Sequence, residues 1–473
     1  MRQAERAAPP EPFPRSAREA LANRRVRANL LHATTTIRTK RAVAVGEVPD
    51  WEALRDAGGE IKANALLSLD RLLVDLEAAV TRHGGTVHWA RDAAEANAIV
   101  AQIVRAEGVS EVVKVKSLTT EEIHLNDALA AVGVHALETD LAELIVQLAG
   151  ERPSHLLVPA IHKNRTEIRD LFRERLGLDG LTDDPHELTA AARAFLRQAF
   201  LRARVAVSGA NFACADTGSV VVVESEGNGR MCTTLPEVLI TVMGIEKVLP
   251  SFRDLEVMLQ LLPRSSTGER MNPYTSIWTG VHAGDGPRAF HLVLLDNRRT
   301  HVLADDIGRD ALRCIRCSAC INVCPVYRQT GGHAYHTPYA GPIGAILQPQ
   351  LDGERGTAAS LPFASTLCGA CADVCPVRID LPALLVHERA KVIASERPGL
   401  EQVALKMVGL VLRSVVAYEW AQRLARLLQR PFARDGQIRR FPPGPLRVWG
   451  RGRDLPAVPE QTFREWWESH DRP

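Results

Sequence analysis

The chain of 473 residues is short of cysteine, and seven of its nine thiols fall between positions 314 and 375. Thiols spread through a small secreted chain suggest disulfides, whereas thiols gathered this way point to metal or redox ligands in a reducing compartment. An excess of either charge is also missing. The formal net charge is +2 with both signs interleaved, so no extended field marks out nucleic acid or an anionic surface as a partner. Long uncharged apolar runs are absent too. The greasiest stretch, "VALKMVGLVLRSVVAYEW" at 403–420, carries Lys406, Arg413 and Glu419, which a spanning helix would have to bury. It reads as an amphipathic or buried helix. The start, "MRQAERAAPPEPFPRSAREAL", lacks the apolar core of a secretory signal, and Glu5, Glu11 and Glu19 argue against a transit peptide. The expected location is the cytoplasm, peripheral to a membrane only through partners. Nucleotide fingerprints are missing as well: no GxGxxG of the expected length opens the chain, "SSTGER" lacks the lysine of a P-loop, and nothing marks a flavin site.

What is there is the composition of a globular protein, long enough for two or three domains. Residues 1–64 read as a helical polar arm with a turn at Gly58-Gly59. From 65 to 300 helical and strand patterns alternate. "TVHWA", "EVVKVKS" and "HALETD" read as strands, with "DAAEANAIVAQIVRAEG" and "TTEEIHLNDALAAVG" as capped helices between them. "ARVAVSGANFACADTGSVVVVES" gives two more strands around a glycine-rich bend. "EVLITVMGIEKVL" and "AFHLVLLDN" are further candidates. Such alternation predicts a mostly parallel sheet flanked by helices. After Asn297 the strand signal stops. Residues 301–395 read as short helices around cysteines, and 396–473 as a helix followed by a Pro/Arg-rich strap with the aromatic anchor "TFREWWESH".

Cys314, Cys317, Cys320 and Cys324 form C-x2-C-x2-C-x3-C ahead of Pro325, and Cys368, Cys371 and Cys375 form C-x2-C-x3-C ahead of Pro376. An iron–sulfide cube takes one thiolate per iron. Three closely spaced cysteines wrap one cube and the fourth, ahead of proline, serves the other. Crossed ligation follows, with cluster one on Cys314, Cys317, Cys320 and Cys375, and cluster two on Cys324, Cys368 and Cys371. A zinc ribbon has no need of three cysteines in one short loop. Ser365 stands where an eighth cysteine would complete cluster two. That leaves a three-iron cluster, a four-iron cluster with a non-cysteine ligand, or an open iron. Cys214 and Cys232 read as inert core thiols, and His333 and His336 as loop-stabilising residues.

The runs "CIRCSACINVCPVYRQTGGHAY" and "LCGACADVCPVRIDLP", with "ETDLAELIVQLAGERPSHLLVPAIHKNR" upstream, resemble the lactate utilization protein B family of iron–sulfur proteins. The resemblance runs from about residue 65 to "FREWW". It implies a subunit of a three-component system oxidising L-lactate to pyruvate, which works with other subunits of that system and carries electrons through two [4Fe-4S] clusters. It also implies an amino-terminal α/β domain similar to the sugar-isomerase and CoA-transferase-like superfamily, then an α-helical ferredoxin-like domain. The absent eighth cysteine is shared with the family pattern. Polar stretches next to predicted strands are candidates for a small-anion or organic-acid pocket: Ser117, Thr119, Glu121 and Glu122; His162 and Lys163; Asp216, Thr217 and Gly218; Glu224, Asn228 and Arg230. A competing expectation makes the chain itself a 2-hydroxy-acid oxidoreductase, with the three-cysteine cluster as an open iron site.

Overall fold

The computed structural model describes residues 11–353, 356–395, 399–438 and 455–470. These fall into two compact units, one through Ser395 and one after it.

In the first unit the strands run in chain order as β1 Thr86–Ala90, β2 Glu111–Lys114, β3 His135–Glu138, β4 Val205–Ser208, β5 Phe212–Cys214, β6 Ser219–Glu224, β7 Val238–Gly244, β8 Val248–Leu249, β9 Tyr274–Trp278 and β10 Ala289–Leu295. Six of them form one sheet in the order β1-β10-β7-β4-β2-β3, and every pair in it is parallel. The expected parallel sheet is therefore present. Its central strands are apolar on both sides because helices cover both faces. In β7, Val238, Ile240 and Val242 pack into one core while Leu239 and Met243 pack into the other. The second core continues without a break into the cysteine-bearing region, through Leu312, Cys317, Ile321 and Leu361.

Several local expectations are corrected. Gly58 and Gly59 make no turn, because the helix Trp51–Leu67 runs straight through them. A Cβ on Gly58 would stand 2.3 Å from Leu261 Cδ1, so these glycines let a helix pack closely against its neighbour and the Cys375 loop. "TTEEIHLNDALAAVG" forms two helices, Leu118–Glu122 and Leu125–Ala131, broken at His124 with φ 53°. The run from 203 to 225 holds three strands rather than two. Its second and third join β8 and β9 in a separate sheet of order β8-β5-β6-β9, where β5-β6 and β6-β9 are antiparallel.

The second unit holds the helices Leu400–Leu412 and Val415–Gln429, interrupted at Arg413-Ser414, where one helix was expected. Leu405, Leu412, Val416, Trp420 and Leu428 are exposed, so the stretch is not a buried helix. Strands persist beyond Asn297: β11 Ala433–Arg434, β12 Gln437–Ile438 and β13 Leu455–Pro456 form a small antiparallel sheet. The middle of the Pro/Arg-rich strap, 439–454, lies outside the described residues. The aromatic tail forms the helix Phe463–His470, tied back by Arg426 to Glu465 at 2.7 Å.

Candidate metal centre

Each cysteine run is a loop feeding a short helix. Arg316 and Ser318 adopt φ of 62° and 64° between the first three cysteines, and Leu367 (55°) and Gly369 (84°) flank Cys368. Left-handed residues at this spacing fold successive N–H groups toward one side. The amides of Arg316, Tyr327 and Ile379 donate to the sulfurs of Cys314, Cys324 and Cys375 at 3.4, 3.5 and 3.4 Å. Cys317, Cys320, Cys324, Cys371 and Cys375 are buried, Cys314 is half-buried and Cys368 is exposed. Burial pushes the thiols of Cys317 and Cys371 up to about 12. Cys368 is held below the ordinary thiol range, chiefly by the amide of Ala370.

The seven thiols divide by proximity. Cys320 feels Cys314, Cys317 and Cys375 before Cys371, whereas Cys324 feels Cys368, and Cys371 feels both of those. Cys314, Cys317, Cys320 and Cys375 line one small cavity of about 20 Å³ with Leu156, Ile343 and Arg316. The cysteine region also holds buried donors without an acceptor: Arg316 Nη1, Ser318 Oγ, Asn322 Nδ2 and Tyr335 OH. Buried donors ordinarily find partners, and the sulfides of an iron–sulfur cluster are acceptors these residues fit. The one other metal-like grouping among the described residues, Asp305, His387 and Glu388, already has the Lys391 ammonium 3.1 Å from Asp305 and 3.3 Å from Glu388.

A buried charge network joins this region to the carboxyl edge of the parallel sheet. Arg316 lies 3.2 Å from Glu246, just past β7. Arg299, just past β10, lies 2.6 Å from Glu246 and 2.8 Å from Glu122. Tyr339 OH donates to Glu122 at 2.5 Å, and its ring lies 4.8 Å under the Arg316 guanidinium. Lys62 donates to the Glu246 carbonyl at 2.5 Å. Burial pushes the Glu246 carboxyl up, but Arg299, Arg316 and Lys247 outweigh it and bring it down to about 2. Burial lowers Lys62 and Lys247 to about 8.

The polar stretches expected around a pocket separate. Ser117 accepts from the Thr120 amide and caps the following helix. Thr119 is buried with no partner for its hydroxyl. Burial and the neighbouring Glu143 raise Glu121 to about 8. Lys116 lies 3.3 Å from Glu143, and Lys114 2.7 Å from Glu138. Asn228 reaches this edge by donating to Thr139. Glu224 accepts from the amides of Gly227 and Arg230, while Arg230 lies over Tyr274. Asp216 accepts from the Phe252 amide, Thr217 donates to Ser219, and Gly218 packs on Ala79 and Val80, so these three build a turn. His162 and Lys163 both pair with Glu151, and the His162 ring meets that of His333 edge-on at 4.8 Å. His333 bonds the Arg152 carbonyl and His336 bonds Ser16, the loop-stabilising role expected of them. Cys214 and Cys232 are fully buried, and burial pushes both to about 12. Sequence reasoning missed Lys62, Glu246, Arg299 and Arg316. Charges beside apolar strand runs, as in "VMGIEK" and "LLDNRR", were the available signal.

Comparison with known proteins agrees with this layout. The LUD domain family matches residues 74–295, the 4Fe-4S dicluster domain residues 310–379, and "Lactate utilisation protein B, C-terminal" residues 388–472. Lactate utilization protein B of Bacillus licheniformis is 42% identical over 95% of each chain. Its Bacillus subtilis counterpart is 42% identical over 96% of this chain and 95% of its own. The Exiguobacterium protein of that name is 43% identical over 92% of each. A solved duf162 family protein from Deinococcus radiodurans aligns with 48% of this chain and 98% of its own, at 14% identity and a TM-score of 0.27, too low to bear on the fold. Among the described residues no helix is long and apolar enough to cross a membrane. By its sequence relatives, the chain belongs to the lactate utilization protein B family.

Proposed function

We propose that this chain is the iron–sulfur electron carrier in the oxidation of L-lactate to pyruvate, acting in the cytoplasm with other subunits of a lactate utilization system. Cys314, Cys317, Cys320 and Cys375 hold one [4Fe-4S] cluster, and Cys324, Cys368 and Cys371 hold the second. The observation that carries this reading is the division of the thiols into a group of four and a group of three, crossed between the two runs as the spacing requires. When bound, such clusters supply one-electron transfer. The chain's own residues set the sites: left-handed loop residues turn amides toward sulfur, and the apolar wall of Leu156, Ile343 and Leu381 excludes water from the four-cysteine cavity. Ser365 Oγ is already engaged by the Leu367 amide at 3.1 Å.

The division into an arm (1–64), an α/β domain (65–300), a ferredoxin-like domain (301–395) and a carboxy-terminal segment (396–473) belongs to the same reading. So does kinship of the α/β domain with the sugar-isomerase and CoA-transferase-like superfamily, which the all-parallel sheet supports. One observation favours a second reading, in which the chain itself oxidises a 2-hydroxy acid: Glu121, poised near 8 beside Lys116 and Glu143, sits where α/β sheets bind ligands. Ser365→Cys separates the two. An electron carrier keeps its lactate-dependent dye reduction in partner-containing extract. Loss of that activity with both cluster signals intact overturns the carrier reading.

A further inference from the structure

Two carboxylates, Glu246 and Glu122, are buried with four cations: Arg316, Arg299, Lys62 and Lys247. Such a surplus of buried positive charge calls for an anion close by. The four-cysteine cavity lies against it. Arg316 lines that cavity with its side chain only 8% exposed, one nitrogen on Glu246 and Nη1 free of any acceptor. Arg316 and Lys62 both interact with Cys314. Arg41, from the helix Arg24–Gly46, interacts with Cys317 and Cys375 and carries a buried Nε with no acceptor. Arg55, 5% exposed, donates to the carbonyls of Cys375 and Ala372 at 2.9 and 3.2 Å. Around the other three thiols the charges differ. Cys368 is exposed and faces Asp373, and Arg389 there is spent on the carbonyls of Pro362 and Ser365.

We infer that Arg316, Arg41, Lys62 and Arg55 form a cationic collar that makes the Cys314–Cys317–Cys320–Cys375 cluster the first of the two to take up an electron. The inference rests on the ligation proposed above. Reduction adds one electron, and so one negative charge, to a cluster that four thiolates already make anionic. Burial opposes added charge, while cations and N–H donors at close range favour it. Burial alone would place the enclosed cluster below the exposed one, so the collar reverses the order that exposure sets. Arg316 acts as a tuning residue whose position is fixed by Glu246 and Tyr339.

The test is a redox titration of the full chain, loaded anaerobically with iron and sulfide and followed by electron paramagnetic resonance. Cys368→Ala removes a ligand of the second set, so the surviving signal identifies the four-cysteine cluster. The expected result is that this cluster reduces at the higher potential. Arg316→Gln is expected to lower its equilibrium constant for reduction about tenfold, which is 59 mV for one electron, and to leave the second cluster unmoved. If Arg316→Gln fails to assemble, Arg41→Gln, on a separate helix, is expected to shift the same signal in the same direction. A four-cysteine cluster that reduces second, or variants that move neither potential or both equally, would overturn the inference while leaving the ligation intact. Absence of both clusters from the loaded wild-type chain would instead sink the proposed function, and this inference with it.

Discussion

Arg316 Nη2 lies 3.2 Å from Glu246 Oε1, tying the loop between the first two cysteines to the carboxyl end of β7. Arg299 completes the tie by bridging Glu246 to Glu122, all with side chains 4% exposed or less. Removing one member of such a network strands the others as unpaired buried charges. Arg299→Ala is therefore expected to cost about 3–5 kcal/mol, read from the denaturant midpoint of the chain. A loss within experimental error would show that the network contributes nothing to the fold.

Gly244 explains how the network fits. A Cβ there would stand 2.1 Å from Glu246 Oε2 and 2.5 Å from Arg299 Nε. Gly244→Ala is expected to destabilise by about 1–3 kcal/mol, and by less in an Arg299→Ala background, because the two changes disturb one contact. Additive losses in the double-mutant cycle would refute that coupling.

Glu121 gives the fold a pH dependence of known sign. Its carboxyl, raised by burial and by Glu143, titrates near 8 when folded against an ordinary glutamate value of 4.5. Between those values the native state holds a proton that the unfolded chain has released. Its contribution is full below about 4.5 and is lost as pH rises through about 8. Glu226, pushed to about 7 by burial and Asp140, acts in the same direction. Thermal denaturation from pH 5 to 8 is expected to show a smaller fall in Tm for Glu121→Gln than for the parent chain. Equal slopes would mean that Glu121 ionises normally.

Crossed ligation predicts an unequal pairing of cysteine variants. Cys375→Ser is expected to abolish the same resonance signal as Cys314→Ser, although it lies in the other run, and Cys371→Ser to abolish the other signal. Loss of one common signal from Cys371→Ser and Cys375→Ser would indicate that each run serves its own cluster.

Cys214 and Cys232, fully buried with thiols near 12, are expected to resist alkylation at pH 8 until the chain is unfolded. Peptide mapping after iodoacetamide treatment checks this, and labelling of either in the folded chain would place it in a mobile or exposed setting.

The sequence made the sheet and the thiol runs legible for physical reasons. Fully apolar strands such as Val238–Gly244 advertise a sheet covered on both faces, and the cysteine spacing carries its own stereochemistry. The break at His124 was hidden, because it depends on one residue's backbone angle within an otherwise helical pattern. Gly58-Gly59 looked like a turn since its purpose, contact with Leu261, is set by a segment some two hundred positions away. Charges beside strand runs were legible one by one, but the pairing of Lys62, Glu122, Glu246, Arg299 and Arg316 into one network was hidden for the same reason. Its members are scattered along the chain, and only the sheet brings their ends together.

The most direct measurement is anaerobic addition of L-lactate to the cluster-loaded protein, following the visible absorption of the oxidised clusters, first alone and then with extract from lactate-grown cells. The account predicts bleaching only when extract is present. Bleaching by the protein alone would place the oxidation of lactate within this chain, and no bleaching under either condition would contradict a role in lactate oxidation.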